Sequence, residues 1–151
     1  MEIKQVTSAV SPLGKRYGAD ILNMYNALDA EELAEYTKET GIRTQHTPAK
    51  TLAERMRGTI FVVVDDGCHA FAQIQLFHEQ GVGIIKLNSL YTDPGARGKG
   101  YAAALLEHLK AYAKKHKCQS IMLGVRANNP AKSVYDRSGF KVGSYSMYWA
   151  V

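Results

Sequence analysis

Cysteine is nearly absent. Cys68 and Cys118 are too few for a disulfide framework, and neither has metal-ligand spacing or sits in a nucleophile motif. Both are expected to be reduced, small and buried. No apolar run approaches the roughly 20 residues needed to cross a bilayer; Phe61–Val64 and Ile84–Leu87 are short and read as strands. The opening Met-Glu-Ile-Lys-Gln-Val-Thr has no apolar signal core, so a cytoplasmic protein without a membrane partner is expected. Internal repeats, low-complexity tracts and linkers are also missing. With 151 residues, 46% hydrophobic and 22% charged, the chain suits one domain over 1–151 with one substantial core.

The most informative stretch runs from Leu90 to Leu106. A β-prone run, Val82–Tyr91, precedes it, and Tyr101–Lys115 is rich in Ala, Leu and Lys and reads as a helix. Between them lies a strand-to-helix turn carrying Gly95, Gly98 and Gly100, with Arg97 and Lys99 interleaved. Free N–H groups at a helix start, the helix dipole and two added cations together make a cradle for phosphate or pyrophosphate. The turn lacks the Lys-Ser/Thr ending of a P-loop. It also lacks GxGxxG, because Ala103 stands where the third glycine would be, and no acidic residue follows at the dinucleotide-binding distance.

Arg97-Gly-Lys-Gly100-Tyr-Ala102 resembles the Arg/Gln-x-x-Gly-x-Gly/Ala signature of the GNAT superfamily of N-acyltransferases. A second motif, Asn128-Asn-Pro-Ala131-Lys-Ser-Val-Tyr135-Asp-Arg-Ser-Gly139-Phe140, resembles that family's Asn-x-x-Ala-x-x-x-Tyr-x-x-x-Gly-Phe segment, in the same order. The resemblance is firm over Val82–Phe140. It implies an α/β fold with a central mixed, mostly antiparallel sheet, splayed between its fourth and fifth strands and flanked by helices.

Taken in order, Glu2–Ser8 reads as a first strand, broken by Ser11-Pro-Leu-Gly14. Gly18–Leu28 places Ile21, Leu22, Tyr25 and Leu28 on one helical face. Asp29 can cap a second helix with Glu32 at the capping-box position, and Thr47-Pro48 can start a third through Leu52 and Met56, ending at Gly58. Thr59–Val64, Cys68–His78 and Val82–Thr92 read as an antiparallel meander turned at Asp65-Asp66-Gly67 and Glu79-Gln80-Gly81. Ser120–Arg126 is the next strand, parallel to Val82–Thr92. Asn129-Pro130 starts a helix that Gly139 ends, and Phe140–Val151 is expected to supply a last strand, bent near Gly143 or running single and long. An exposed Tyr145-Ser-Met-Tyr-Trp edge would be a place for a partner chain, hence a homodimer.

The resemblance implies roles. Backbone groups of Leu90 and Thr92 would bind the pantetheine arm of acetyl-CoA, and the Leu90 N–H would polarise the thioester carbonyl. Backbone groups of Arg97, Gly98, Lys99, Gly100, Tyr101, Ala102 and Ala103 would hold the pyrophosphate. The Asn128 side chain would contact the coenzyme, and Tyr135 would protonate the departing thiolate. No metal is implied. Some members carry a Glu four residues before the Leu90 position; here Lys86 stands there. The base stays open among Glu79, His78, Asp66, Glu35, Tyr25 and water.

Charge is unevenly placed. Lys86–Lys141 holds eleven Lys/Arg against three Asp/Glu, whereas Gly18–Thr40 holds six acids against Lys38 alone. The basic half suits a polyphosphate or a nucleic acid, and the acidic segment suits a cationic acceptor or a solvated helix face. The reading is therefore an N-acetyltransferase acting on a primary amine, either a small cation or a protein amine. Two rivals stay open: a non-catalytic CoA-binding regulator, and a toxin acetylating aminoacyl-tRNA.

Overall fold

The computed structural model describes residues 1–149 and 151. Strands β1 (Glu2–Val6), β2 (Thr59–Val64), β3 (Cys68–Glu79), β4 (Val82–Thr92) and β5 (Cys118–Met122) form one sheet in that order. Each pair is antiparallel except β4–β5, which is parallel. Helices α1 (Pro12–Thr40) and α2 (Leu52–Arg55) cover one face; α3 (Tyr101–Lys115) and α4 (Lys132–Arg137) cover the other.

The period-2 alternation of the strands divides the core between the faces. In β2 and β3, Ile60, Val62 and Phe71 pack against Tyr17, Ile21, Tyr25 and Leu28 of α1. Phe61, Val63, Ala72 and Ile74 pack against Leu105, Leu106 and Leu109 of α3. Those three leucines are 0% exposed, so truncating any one to alanine costs about 2–5 kcal/mol. The two hairpin turns form where the sequence marks them, with positive φ at Asp66, Gly67, Gln80 and Gly81.

Several elements differ from expectation. The two helices expected from Gly18 and from Asp29 are one continuous helix, α1. Its start is the Ser11-Pro12 pair, read from sequence as a break: the Ser11 hydroxyl accepts the Gly14 N–H at 3.1 Å, and Pro12 takes the first turn. Gly14 is obligatory for packing, because a Cβ there would lie 2.0 Å from the Ser8 carbonyl oxygen. Asp29 does not cap a helix; its carboxylate accepts two hydrogen bonds from Arg55, at 2.8 and 2.9 Å. Left-handed Gly41 closes α1 by donating its N–H to Thr37.

The third helix shrinks to α2, capped by Thr51 rather than Thr47. Strand β5 is Cys118–Met122, shorter and earlier than Ser120–Arg126. Helix α4 begins at Lys132 because Asn129 Oδ1 first accepts the Ala131 N–H in a local turn. No strand forms over 140–149, where the expected last strand falls; Ala150 of that stretch lies outside the described residues. The segment instead crosses toward α1, where the Tyr148 hydroxyl donates to the Glu39 carbonyl at 3.1 Å.

Candidate active site

The site begins with a strand that outruns its neighbour. β4 pairs with β5 only from Gly83 to Lys86, while Leu87–Thr92 continue without β5 beside them. Leu90 and Thr92 both lie on this split length, opposite Ala72 and Ala70 of β3. A split parallel pair exposes backbone N–H and C=O groups that an amide-bearing ligand can meet as an added strand.

A bulge re-aims the strand within the split. Gln73 faces Ser89 and Ile74 faces Leu87, so Asn88 is the extra residue. Its amide donates to Gln75 Oε1 at 2.8 Å. Beneath it the buried Gln73 is satisfied: its Oε1 accepts both the Tyr25 hydroxyl and the Arg57 N–H. Nothing in the residue pattern marks Asn88 as a bulge.

At the end of β4 a 3₁₀ turn, Pro94–Ala96, leads into left-handed Gly98 and Gly100, both at φ 82°. Only glycine adopts that conformation without strain. A Cβ at either position would meet nothing within 4 Å, so the backbone there borders open space. Gly100 caps α3 without a side-chain hydrogen bond, and the first bond of the helix runs from Ala104 to the Gly100 carbonyl. The N–H groups of the first turn are therefore left for an outside acceptor.

The side chains around the cradle divide by role. Tyr101 is buried, with its hydroxyl donating to Asp65 at 2.6 Å and its ring stacked on His69, so only its backbone can serve a ligand. That bond holds the Asp65 carboxyl below its ordinary range. Lys99 and Ala103 are exposed, and Ala102 is half-buried. Arg97 does not point free into solvent: its Nε donates to the Thr92 carbonyl at 3.0 Å, and its other nitrogen reaches Glu31 at 3.3 and 3.4 Å. The guanidinium also covers the Tyr91 ring. Nothing in the sequence singles out Glu31, which is one acid among six.

Helix α4 follows β5 in the chain and packs on the same core as α3. Left-handed Gly139 ends α4, and the Phe140 N–H returns to the Tyr135 carbonyl at 3.0 Å, so the Gly-Phe pair of the motif is the helix stop. Phe140 also meets the Tyr135 ring edge-on at 5.9 Å between centroids. Tyr135 is 9% exposed, and burial, with the Glu32 charge second, pushes its phenol up to about 12. Asn128 lies exposed in the turn before α4 and does not share this burial.

The Glu32 charge that acts on Tyr135 comes from an acidic side of α1. Asp29, Glu32 and Glu35 recur at intervals of three, one side of the helix. Burial first, then the Asp29 charge, raises the Glu32 carboxyl above its ordinary value, with Arg55 opposing. One Glu35 carboxylate oxygen is fully enclosed without a hydrogen-bond partner among the described residues. The other residues considered as bases stand elsewhere. His78 and Glu79 are at the opposite end of β4, roughly 25 Å of strand from Leu90. Tyr25 is wholly buried, and desolvation holds its proton on more firmly than in an ordinary phenol. Among the described residues no cluster of His, Cys, Asp and Glu could hold a metal ion, and no helix is long and apolar enough to cross a membrane.

Comparison with known proteins bears on the fold. A mutant protein from Bacillus halodurans superimposes with a TM-score of 0.80 at 21% identity, over 100% of this chain and 99% of that one. An acetyltransferase from Trypanosoma brucei gives a TM-score of 0.65 at 14% identity, over 99% and 100% of the chains. An aminoglycoside acetyltransferase from an uncultured soil metagenomic sample gives 0.66 at 16% identity, over 99% and 97%. At these identities the likeness is one of fold. No curated protein sequence matches. Residues 21–140, well over half of the chain, match the acetyltransferase (GNAT) family model, and the chain belongs to that family.

Proposed function

We propose that this protein transfers an acetyl group from acetyl-CoA to a primary amine, by direct attack within a ternary complex. The observation that carries the reading is the conjunction of the β4–β5 split, the open N-terminus of α3 behind left-handed Gly98 and Gly100, and the buried Tyr135 phenol on α4.

The open backbone from Gly98 to Ala103 would take the pyrophosphate, with Lys99 adding charge; Leu90 and Thr92 would take the pantetheine amides. The amine first loses its ammonium proton to water. Its nitrogen then forms a bond to the thioester carbon while the carbon–sulfur bond breaks, and the sulfur leaves as thiolate. The new amide nitrogen sheds its second proton to water. A backbone N–H at Leu90 steadies the charge growing on the carbonyl oxygen. Tyr135 donates its proton toward the sulfur. Its raised proton affinity keeps it protonated through neutral pH, and the same dry surroundings disfavour a bare thiolate. Glu32 and Glu35 supply negative charge where an ammonium group would arrive, which supports a small cationic acceptor.

The test is thiol release from acetyl-CoA against a panel of amines. Wild type should release thiol with at least one polycationic amine, and Tyr135→Phe should lower kcat by about 10²–10⁴ with little change in coenzyme affinity. Intact CoA binding with no thiol release for any amine would sink the catalytic reading and favour a CoA-binding regulator.

A further inference from the structure

The loop from β4 into α3 is held at both ends by the same hairpin turn. Its entry is Asp93, whose N–H donates to the His69 carbonyl at 2.9 Å, one residue beyond the Ala70–Thr92 pair that ends the β3–β4 ladder. Its exit is Tyr101, the first residue of α3, whose hydroxyl donates to Asp65 Oδ2 at 2.6 Å. Asp65 and His69 flank the turn between β2 and β3, and they are tied to each other. His69 Nε2 donates to the Asp65 carbonyl at 2.8 Å, and the Asp65 N–H donates to the Gly67 carbonyl at 2.9 Å. The His69 ring also lies parallel to the Tyr101 ring, with 6.1 Å between centroids and 7° between planes.

Between these two holds the loop has little bracing of its own. Gly98 and Gly100 are left-handed with open space where a Cβ would stand, and α3 starts without a side-chain cap. Glycine loses more conformational freedom on ordering than any other residue, so a loop ordered only on binding would lose affinity. We propose that the β2–β3 turn presets the coenzyme cradle, with Asp65 as a positioning residue acting through Tyr101; this rests on the acetyl-CoA reading. Tyr101 is 6% exposed, and its buried ring fixes the direction of the first N–H groups of α3, while Asp65 sits exposed at the far end of the bond.

The charge and the hydrogen bond at Asp65 act in opposite directions on a bound pyrophosphate: the carboxylate repels it, and the bond orders the groups that hold it. Two substitutions at this exposed position separate them. Asp65→Asn and Asp65→Ala both drop the charge, but only asparagine keeps an acceptor oxygen for Tyr101. In calorimetric titration with CoA, Asp65→Ala should bind about 2- to 10-fold more weakly than Asp65→Asn, the net worth of one hydrogen bond. Asp65→Asn should bind at least as tightly as wild type. Tyr101→Phe, which keeps ring and charge, should weaken binding in the wild-type background and have no further effect in Asp65→Ala, as coupling through one bond requires. A wild type that binds no CoA overturns the coenzyme reading and the preset cradle together. A wild type that binds CoA, with Asp65→Ala and Asp65→Asn binding equally, overturns the preset cradle alone. So does a Tyr101→Phe penalty that persists undiminished in Asp65→Ala.

Discussion

Replacing Glu31 with glutamine should tighten CoA binding while leaving the fold almost untouched. The Arg97–Glu31 contacts are long, at 3.3 and 3.4 Å, and both side chains are about half exposed, 50% and 46%. Exposed ion pairs of this kind contribute about 0–1 kcal/mol, so the melting temperature should fall by no more than about 2–4 °C. Arg97 keeps its bond to the Thr92 carbonyl and its seat over Tyr91 without Glu31. The substitution removes a negative charge beside the phosphate cradle. For a phosphate charge roughly 8 Å from that carboxylate, repulsion is about 0.5 kcal/mol in bulk water and about 2 kcal/mol at the lower effective dielectric of a protein surface. The dissociation constant should drop roughly 2- to 30-fold. Calorimetric titration of CoA into both proteins measures it, and the gain should shrink at high salt as the charges are screened. A Glu31→Gln protein that binds CoA no better than wild type, at an unchanged melting temperature, would refute a pyrophosphate site at the start of α3.

The same geometry sets other outcomes. CoA at about 100 times its dissociation constant should stabilise wild type by about 2.7 kcal/mol; Gly100→Glu, which puts a charged side chain on a left-handed residue at the helix entrance, should show no melting shift with CoA. Arg55→Ala removes the two-pronged bond to Asp29 and the cation lying 4.5 Å from the centre of the Tyr25 ring. A loss of about 1–3 kcal/mol, read from urea midpoints, is expected. Glu32→Gln should show a pH signature. Because the folded Glu32 carboxyl titrates above its unfolded value, wild type loses stability as pH rises through that interval, and the glutamine variant does not. The two should match near pH 4 and diverge in the variant's favour by about pH 7, while the variant's KM for a cationic amine rises.

Fold and site were legible to different depths. The meander and α3 arise from signals that act over a few residues: β-branched alternation in Thr59–Val64, turn pairs at Asp66-Gly67 and Gln80-Gly81, and an Ala/Leu-rich run after Gly100. The turn before α3 was legible for the same reason, since glycine spacing declares the left-handed backbone at Gly98 and Gly100. Helix α1 is misread at Asp29 because capping residues are ambiguous until tertiary partners choose: Arg55, distant in sequence, claims that carboxylate. Glu31, Glu32 and the Asn88 bulge were hidden because each takes its meaning from a residue on another element, Arg97, Tyr135 and Gln73 respectively. The terminal strand was expected from alternation that is real, but among the described residues no strand of the sheet pairs with that segment.

The short pairing of β5 also bears on how the molecule opens. Four registered positions, Gly83 to Lys86, hold β5 to the rest of the sheet, whereas β3 and β4 are paired along almost their whole length. Amide exchange in such a structure divides into cooperative units of unequal stability. The unit comprising β5, α4 and the C-terminal segment is the one with the fewest sheet bonds to break. Tyr135 belongs to that looser unit and Leu90 to the firmer one. A ligand reaching from the α3 entrance to Tyr135 would clamp the two together, so its binding energy would appear first as slower exchange in β5 and α4, before any change in the protection of β3.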